Sequence, residues 1–369
     1  MIAKQTVVSV SLLLFVVPIA SAVAEPGEAP EHPDEAALED PIPEAPPTRP
    51  GKTGRFVIGA GFQMDDGFVA SARIEQLDLF RTGIQLALDA KISARQQRFA
   101  IGVADPTLFG TDLALGANLY TERRVLPGFT REATGGSLTL SHALGPHVRG
   151  FVGYRLEEIG VTPDVLAIAR GTDAGDPFRG GRYAALRAGL EYNTLDMQGM
   201  PRRGTRIGTA IELADRDLGS EIQMIRTDAW ASHHRPLGPF TLHLGGTLST
   251  VSNGAPFSER LHFDGSRDIR GYAPGSLGPF DPQTGMSLGG NLKYTARGEL
   301  EVPLVSRYGI SAVGWVDAGG ILAQGTRWSG ASAGVGLLWR SPIGPVRIDY
   351  AVPLDGSPPG FVFGLGGTW

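Results

Sequence analysis

Residues 264–279 read DGSRDIRGYAPGSLGP, and their glycines and prolines mark a surface loop. In the middle stands Arg270-Gly271-Tyr272, with a bulky aromatic where a loop tip is normally small and polar. A guanidinium is always charged and presents a planar fork of donors that matches carboxylates. An arginine so placed calls for acidic partners elsewhere in the chain.

Other residues with chemical potential are sparse. His233-His234 could hold a metal as a pair, yet no carboxylate or further histidine stands near them at ligand spacing, and a loop or interfacial place is expected. Gly334-Val335-Gly336 is half of a dinucleotide fingerprint, but the third glycine is missing and no helical pattern follows. No H-E-x-x-H or Walker A occurs, and no nucleophile and base stand in a recognisable constellation. Cysteine is absent, so disulfides and thiolate metal sites are excluded. The expectation is a protein that is not an enzyme and carries neither cofactor nor metal.

The elements that must position Arg270 follow from pattern. The chain has 369 residues, 42% apolar and 19% charged, with 52 glycines, about double the usual share of ~7%. Such a composition suits many strands and many turns. Lys4 precedes the apolar run VVSVSLLLFVVPIASAVA, which ends in Ala22-Val23-Ala24. This predicts a secretory signal peptide over residues 1–24. Residues 25–50 hold eight acidic residues, eight prolines and one arginine, too little apolar surface to offset the entropy of ordering. Residues 25–54 are therefore expected to be a disordered periplasmic segment, a solvated spacer rather than the alternative of a tail that recruits a partner. Its charge of −7 and the leader's +1 leave +1 for residues 51–369, within a total of −5.

From Arg55 onward the pattern has period two. Phe68, Ala70, Ala72 and Ile74 oppose Ser71, Arg73 and Glu75; Ile207, Ile211 and Leu213 oppose Arg206 and Glu212; Tyr294, Leu300 and Val302 oppose Lys293, Arg297, Glu299 and Glu301. Soluble sandwiches alternate too. Segments of ~10 residues and a secreted, glycine-rich chain favour a membrane barrel instead. Sixteen strands are predicted, centred near residues 59, 71, 87, 101, 116, 136, 152, 187, 208, 225, 245, 297, 313, 334, 348 and 365. The fold class is all-β: a 16-stranded antiparallel transmembrane β-barrel over residues 55–369. Two connections are long, residues 158–179 and 253–290, and long loops are usually functional or disordered.

Several motifs, in order, resemble those of BamA/TamA-type outer-membrane assembly factors, the bacterial surface antigen family. DIRGYAPGSLGP resembles the family's Arg-Gly-Phe/Tyr loop between strands eleven and twelve, where the strand count puts it. LKYTARGELEVPL (292–304) resembles strand twelve, and GWVDAGGI (314–321) the strand with an aromatic-x-Asp-x-Gly signature that includes Gly319. Residues 334–354 resemble the hairpin near the C-terminus, and GFVFGLGGTW (360–369) a closing strand with a terminal aromatic targeting signal. Weaker similarity, including MPRRGTRI at 200–207, reaches back to Arg55.

The resemblance implies an outer-membrane barrel that inserts or translocates other proteins through a weak seam between its first and last strands, where an incoming strand adds by β-augmentation. It implies that the long loop folds into the lumen, with Arg270 pairing to Asp317 and Glu301. Tyr272 is expected against the lumen wall. The last strand carries Phe361, Phe363, Leu365 and Trp369 at outward parity, with Gly364, Gly366 and Thr368 on the other face. Expected partners are outer-membrane lipid, unfolded outer-membrane proteins, and a POTRA-bearing or lipoprotein partner, because residues 25–54 are too few for the family's POTRA domains. Nucleic acid is not expected, and the barrel is expected to be monomeric. A passive pore or structural barrel is the other reading the alternation permits.

Overall fold

A computed structural model describes residues 54–63, 67–164, 180–197, 201–282, 285–341 and 344–365. The expected signal peptide, the acidic segment and Trp369 lie outside these residues. The strands are β1 (Gly54–Gln63), β2 (Gly67–Leu79), β3 (Ile84–Ile92), β4 (Gln96–Asp105), β5 (Leu113–Leu126), β6 (Phe129–Gly145), β7 (Val148–Pro163) and β8 (Gly181–Asn193). They continue as β9 (Gly204–Ala214), β10 (Met224–Leu237), β11 (Phe240–Val251), β12 (Leu292–Val305), β13 (Ile310–Ala323), β14 (Thr326–Ser341), β15 (Gly344–Pro353) and β16 (Gly360–Leu365). Each pairs antiparallel with the next in one continuous sheet, and β16 comes to lie against β1. No helix of the described residues is long and apolar enough to cross a membrane.

Side chains alternate along the strands, and among the described residues the two faces differ sharply. One carries Phe68, Ile101, Leu119, Leu138, Val152, Ile211, Val316 and Val335, all exposed, at 42–65% of their surface. A soluble monomer rarely shows so much contiguous apolar surface. The opposite face carries Glu157, Arg187, Glu212, Asp228, Glu299, Asp317 and Asp349, all buried. Polar groups are thus inside and apolar groups outside, the reverse of a water-soluble sandwich.

What buries the polar face is the β11–β12 connection, residues 252–291. Among its described residues it forms two short 3-10 turns, Phe257–Glu259 and Gly265–Arg267, and a few isolated bridges. Its apolar residues make their own contacts with the wall. Phe257 and Met286 pack with Leu126 and Phe129, whereas Phe263, Ile269 and Tyr272 pack with Ile321. Leu126 and Ile321 lie on β5 and β13, eight strands apart in the sheet. The sheet therefore curves round the connection and touches it from two sides. Burying such side chains is worth about 1.5–3 kcal/mol each, enough to hold a segment that has little secondary structure of its own.

Candidate functional site

The β13 sequence Trp315-Val316-Asp317-Ala318-Gly319 sets one half of the site. Period two puts Trp315, Asp317 and Gly319 in a row on the buried face. The connection lays Ile269 and Arg270 along that row. The guanidinium of Arg270 sits over the Trp315 ring, 3.8 Å from its centroid. Its Nε donates to Asp317 Oδ2 and its Nη2 to Asp317 Oδ1, both at 2.7 Å. The backbone N–H of Arg270 donates to the same Oδ2 at 3.1 Å. At Gly319 a Cβ would stand 3.4 Å from Ile269 and 2.6 Å from the carbonyl oxygen of Tyr294, so only glycine leaves the row flat there.

Glu299 of β12 and Asp349 of β15 complete the cage. Arg270 Nη1 donates to Glu299 Oε2 at 3.0 Å and lies 3.6 Å from Asp349 Oδ2. A second arginine, Arg347 of β15, bridges the same acids: Nη1 donates to Glu299 Oε1 at 3.1 Å and Nε to Asp349 Oδ2 at 2.5 Å. Two guanidinium groups thus share three carboxylates, with every member buried. Charges removed from water need such mutual pairing to be tolerated.

The expected partner Glu301 is not in this cage. It lies one inward step further along β12, opposite Val313 rather than Trp315. There it accepts from Arg340 Nη2 and Ser311 Oγ, each at 2.5 Å, with His243 Nε2 at 3.4 Å. Both glutamates share a face, and only the register of Arg270 selects Glu299. His234 and His243 meet through their Nδ1 atoms at 2.8 Å beside this second cluster. His233 and His234 are accordingly not in a loop but within β10, on opposite faces: His234 is buried and His233 exposed, 2.7 Å from the Thr205 hydroxyl.

Gly271 and Tyr272 fix the loop beyond Arg270. Gly271 has φ +87°, and a Cβ there would come within 2.8 Å of Ala351. Tyr272 is buried, meets Phe263 edge-on, and donates its hydroxyl to the Ala331 carbonyl at 3.2 Å. Burial, with a contribution from Asp355, pushes that hydroxyl up to about 12, so it remains a neutral donor.

β14 makes room for all of this. A Cβ at Gly330 would strike the Tyr272 hydroxyl, one at Gly334 the Trp315 ring, and one at Gly336 the Asp349 carboxylate. The strand between β13 and β15 is a trough across which their side chains reach each other. Gly334-Val335-Gly336 thus serves side-chain crossing, not phosphate binding.

The opposite wall holds the same connection. Glu259 accepts from Arg131 of β6 at 2.8 and 3.1 Å. Asp264 accepts from Arg124 of β5 at 3.1 Å. Arg131 also reaches Glu157, itself 3.3 Å from Arg155. None of these partners was foreseen, since they lie 128 and 140 residues from their loop acids. Within the connection, His262 Nδ1 stands 3.1 Å from Ser287 Oγ, and its Nε2 stands 2.8 Å from the Phe257 carbonyl. This is the contact of a nucleophile and base, but both residues are buried and the pair staples two arms of the loop. No group of three or more metal-ligating side chains occurs among the described residues. Phe361 and Phe363 point to the exposed face, with 5.2 Å between the Tyr350 and Phe361 rings and 6.4 Å between the Phe361 and Phe363 rings. Leu365 pairs with Val346 at the end of β16.

Comparison with known proteins places this geometry. The chain is 24% identical to an outer membrane protein assembly factor BamA of Nitratidesulfovibrio vulgaris (strain Hildenborough), over 82% of this chain and 39% of that protein. It is 28% identical to the BamA of Neisseria meningitidis serogroup B, over 86% of this chain and 47% of that one. The chain therefore spans less than half the length of these curated relatives. Among solved structures it superposes on BamA from Haemophilus ducreyi lacking POTRA domains 1–3, with a TM-score of 0.72 at 21% identity, covering 87% of this chain and 71% of that one. It also superposes on CdiB from Escherichia coli, with a TM-score of 0.61 at 14% identity, covering 88% and 64%. At these identities the two structures speak for the fold. The model of the Omp85 superfamily domain matches residues 78–369, well over half of the sequence, and the chain belongs to that superfamily.

Proposed function

We propose that the sheet closes as a sixteen-stranded barrel in the bacterial outer membrane and serves the assembly, insertion or translocation of other proteins there. The observation that carries this reading is the superfamily match over residues 78–369, whose curated relatives are named outer membrane protein assembly factors. The apolar outer face supports a lipid environment, and the polar inner face a filled lumen.

In this reading the β11–β12 connection is an internal strut. Arg270 fastens it to β12, β13 and β15, and Glu259 and Asp264 fasten it to β5 and β6. The seam is the contact of β1 with β16. Among the described residues β16 pairs with β15 over six positions, where β14 and β15 pair over ten. Gly364 offers no side chain to hold register on the inner side. A parted edge exposes backbone donors and acceptors to an incoming strand. The partners are outer-membrane lipid, unfolded barrel proteins, and a POTRA-bearing or lipoprotein component.

Because the chain has no cysteine, introduced pairs along β1 and β16 report on the seam alone. Disulfide-locked pairs should block assembly of a client barrel in reconstituted vesicles, and reduction should restore it. Full activity in the locked, folded barrel would sink the seam. The competing reading is a passive pore, and lumenal charges of both signs permit it. A large, stable open state in planar bilayers, with an unchanged surface proteome after depletion, would decide for the pore.

A further inference from the structure

The rim on which β1 begins is unusually basic. Gly54 pairs with Gln76 near the end of β2, so this rim also carries the β2–β3, β8–β9, β10–β11 and β12–β13 turns. Arg81, Arg202, Arg203, Arg235 and Arg307 are all exposed on or beside those turns. Of the described acidic residues at this rim only Asp112 and Asp196 are as exposed. One Asp196 oxygen is already occupied by the backbone N–H groups of Arg202 and Arg203, at 3.0 and 3.2 Å. Arg203 and Arg235 flank a cavity of about 420 Å³, also lined by His233 and Pro236. The opposite rim mixes signs, with Arg216 beside Asp217 and with Glu221 and Asp355.

The sequence that leads into β1 arrives at this basic rim. Residues 25–50 carry eight acidic side chains against one arginine. At an extended limit of about 3.3 Å per residue they reach roughly 85 Å. Eight strand spacings of about 4.8 Å separate β1 from β9, about 40 Å along the sheet. The segment can therefore reach Arg202, Arg203 and Arg235 from its attachment point with length to spare. Covalent attachment keeps its local concentration near the millimolar range, so several exposed ion pairs, each weak alone, act together without the cost of bringing two molecules together. Proline limits the conformations lost when an extended segment lies along a charged surface.

We propose that the acidic, proline-rich residues 25–50 dock in cis on this arginine rim. The segment is then a salt-sensitive cover of the rim, not the solvated spacer its composition predicts. It would compete there with any acidic partner arriving from the same side. The inference stands on rim charge and chain reach, independently of whether the barrel inserts proteins.

The test uses the full chain in nanodiscs with spin labels at Ala37→Cys and Leu237→Cys, read by pulsed electron resonance. A short-distance population is expected at low salt. It should disappear at about 1 M salt, where the screening length falls to about 3 Å. It should also disappear in the triple variant Arg202→Glu, Arg203→Glu, Arg235→Glu, and persist in Arg216→Glu on the other rim. Retained heat-modifiability on gels establishes that each variant is folded. A broad distribution at every salt, or a short distance indifferent to the charge reversal, would overturn the proposal.

Discussion

Arg270 and Asp317 share two hydrogen bonds of 2.7 Å while the Arg270 guanidinium lies 3.8 Å from the centroid of Trp315. Face and edge of one cation are thus used by residues two apart on a single strand. Lysine can supply charge but neither the fork nor the flat face. Arg270→Lys should therefore loosen the loop almost as much as Arg270→Ala. Removing one partner of a buried pair costs about 3–5 kcal/mol, less where water enters. The measure is loss of heat-modifiability and faster proteolysis within residues 252–291. A fully heat-modifiable Arg270→Lys barrel would refute the bidentate role.

Glu299 and Glu301 have the same chemistry and the same face but belong to different clusters. Coupling separates them. In double-mutant cycles with Arg270→Lys, Glu299→Gln should be non-additive by more than about 0.5 kcal/mol, whereas Glu301→Gln should add within that margin. Chemical denaturation of the barrel in detergent supplies the free energies. Equal coupling at both positions would mean that the loop samples both registers.

Much of this molecule was legible from alternation alone. Each of the sixteen expected centres falls within one of the strands β1 to β16, because a sheet with one apolar face writes its period into the sequence. Parity also put Asp317 and both glutamates on the polar face. It could not choose between Glu299 and Glu301, since that depends on where a non-local loop settles. Trp315 was within reach, as the aromatic two residues before Asp317 shares its face. Arg131 and Arg124 were not, since no local pattern links residues more than a hundred positions apart. His233-His234 misled because two adjacent polar residues look like a loop, whereas in a strand they face opposite sides.

Gly336 tests the trough. Asp349 lies where a Cβ at Gly336 would be, so Gly336→Ala must displace that carboxylate from Arg347 and Arg270. Overpacking of this kind costs about 1–3 kcal/mol. Asp349→Ala removes the side-chain clash but leaves the 2.7 Å approach to the Ile348 carbonyl, so Gly336→Ala should cost less in that background than on its own. The outcome to measure is the thermal midpoint of each single and of the double variant. Simple additivity would show that the glycine serves the strand and not the crossing.

Tyr272 separates packing from hydrogen bonding. Tyr272→Phe keeps the ring against Phe263 and Ile269 and loses the hydroxyl's bond to the Ala331 carbonyl and its interaction with Asp355, a hydrogen bond being worth about 0.5–1.5 kcal/mol. Tyr272→Ala empties the cluster and should cost about 3–5 kcal/mol. The pH response follows from the same burial. The hydroxyl titrates near 12 in the folded chain, above its ordinary value of 10.0. Its contribution is fully present below pH 10 and is lost as pH rises toward 12, because the unfolded chain gives up the proton first. The wild-type loop should therefore become protease-sensitive across that window more steeply than the Tyr272→Phe loop. Identical pH profiles would show that the hydroxyl, though buried, does not hold the loop.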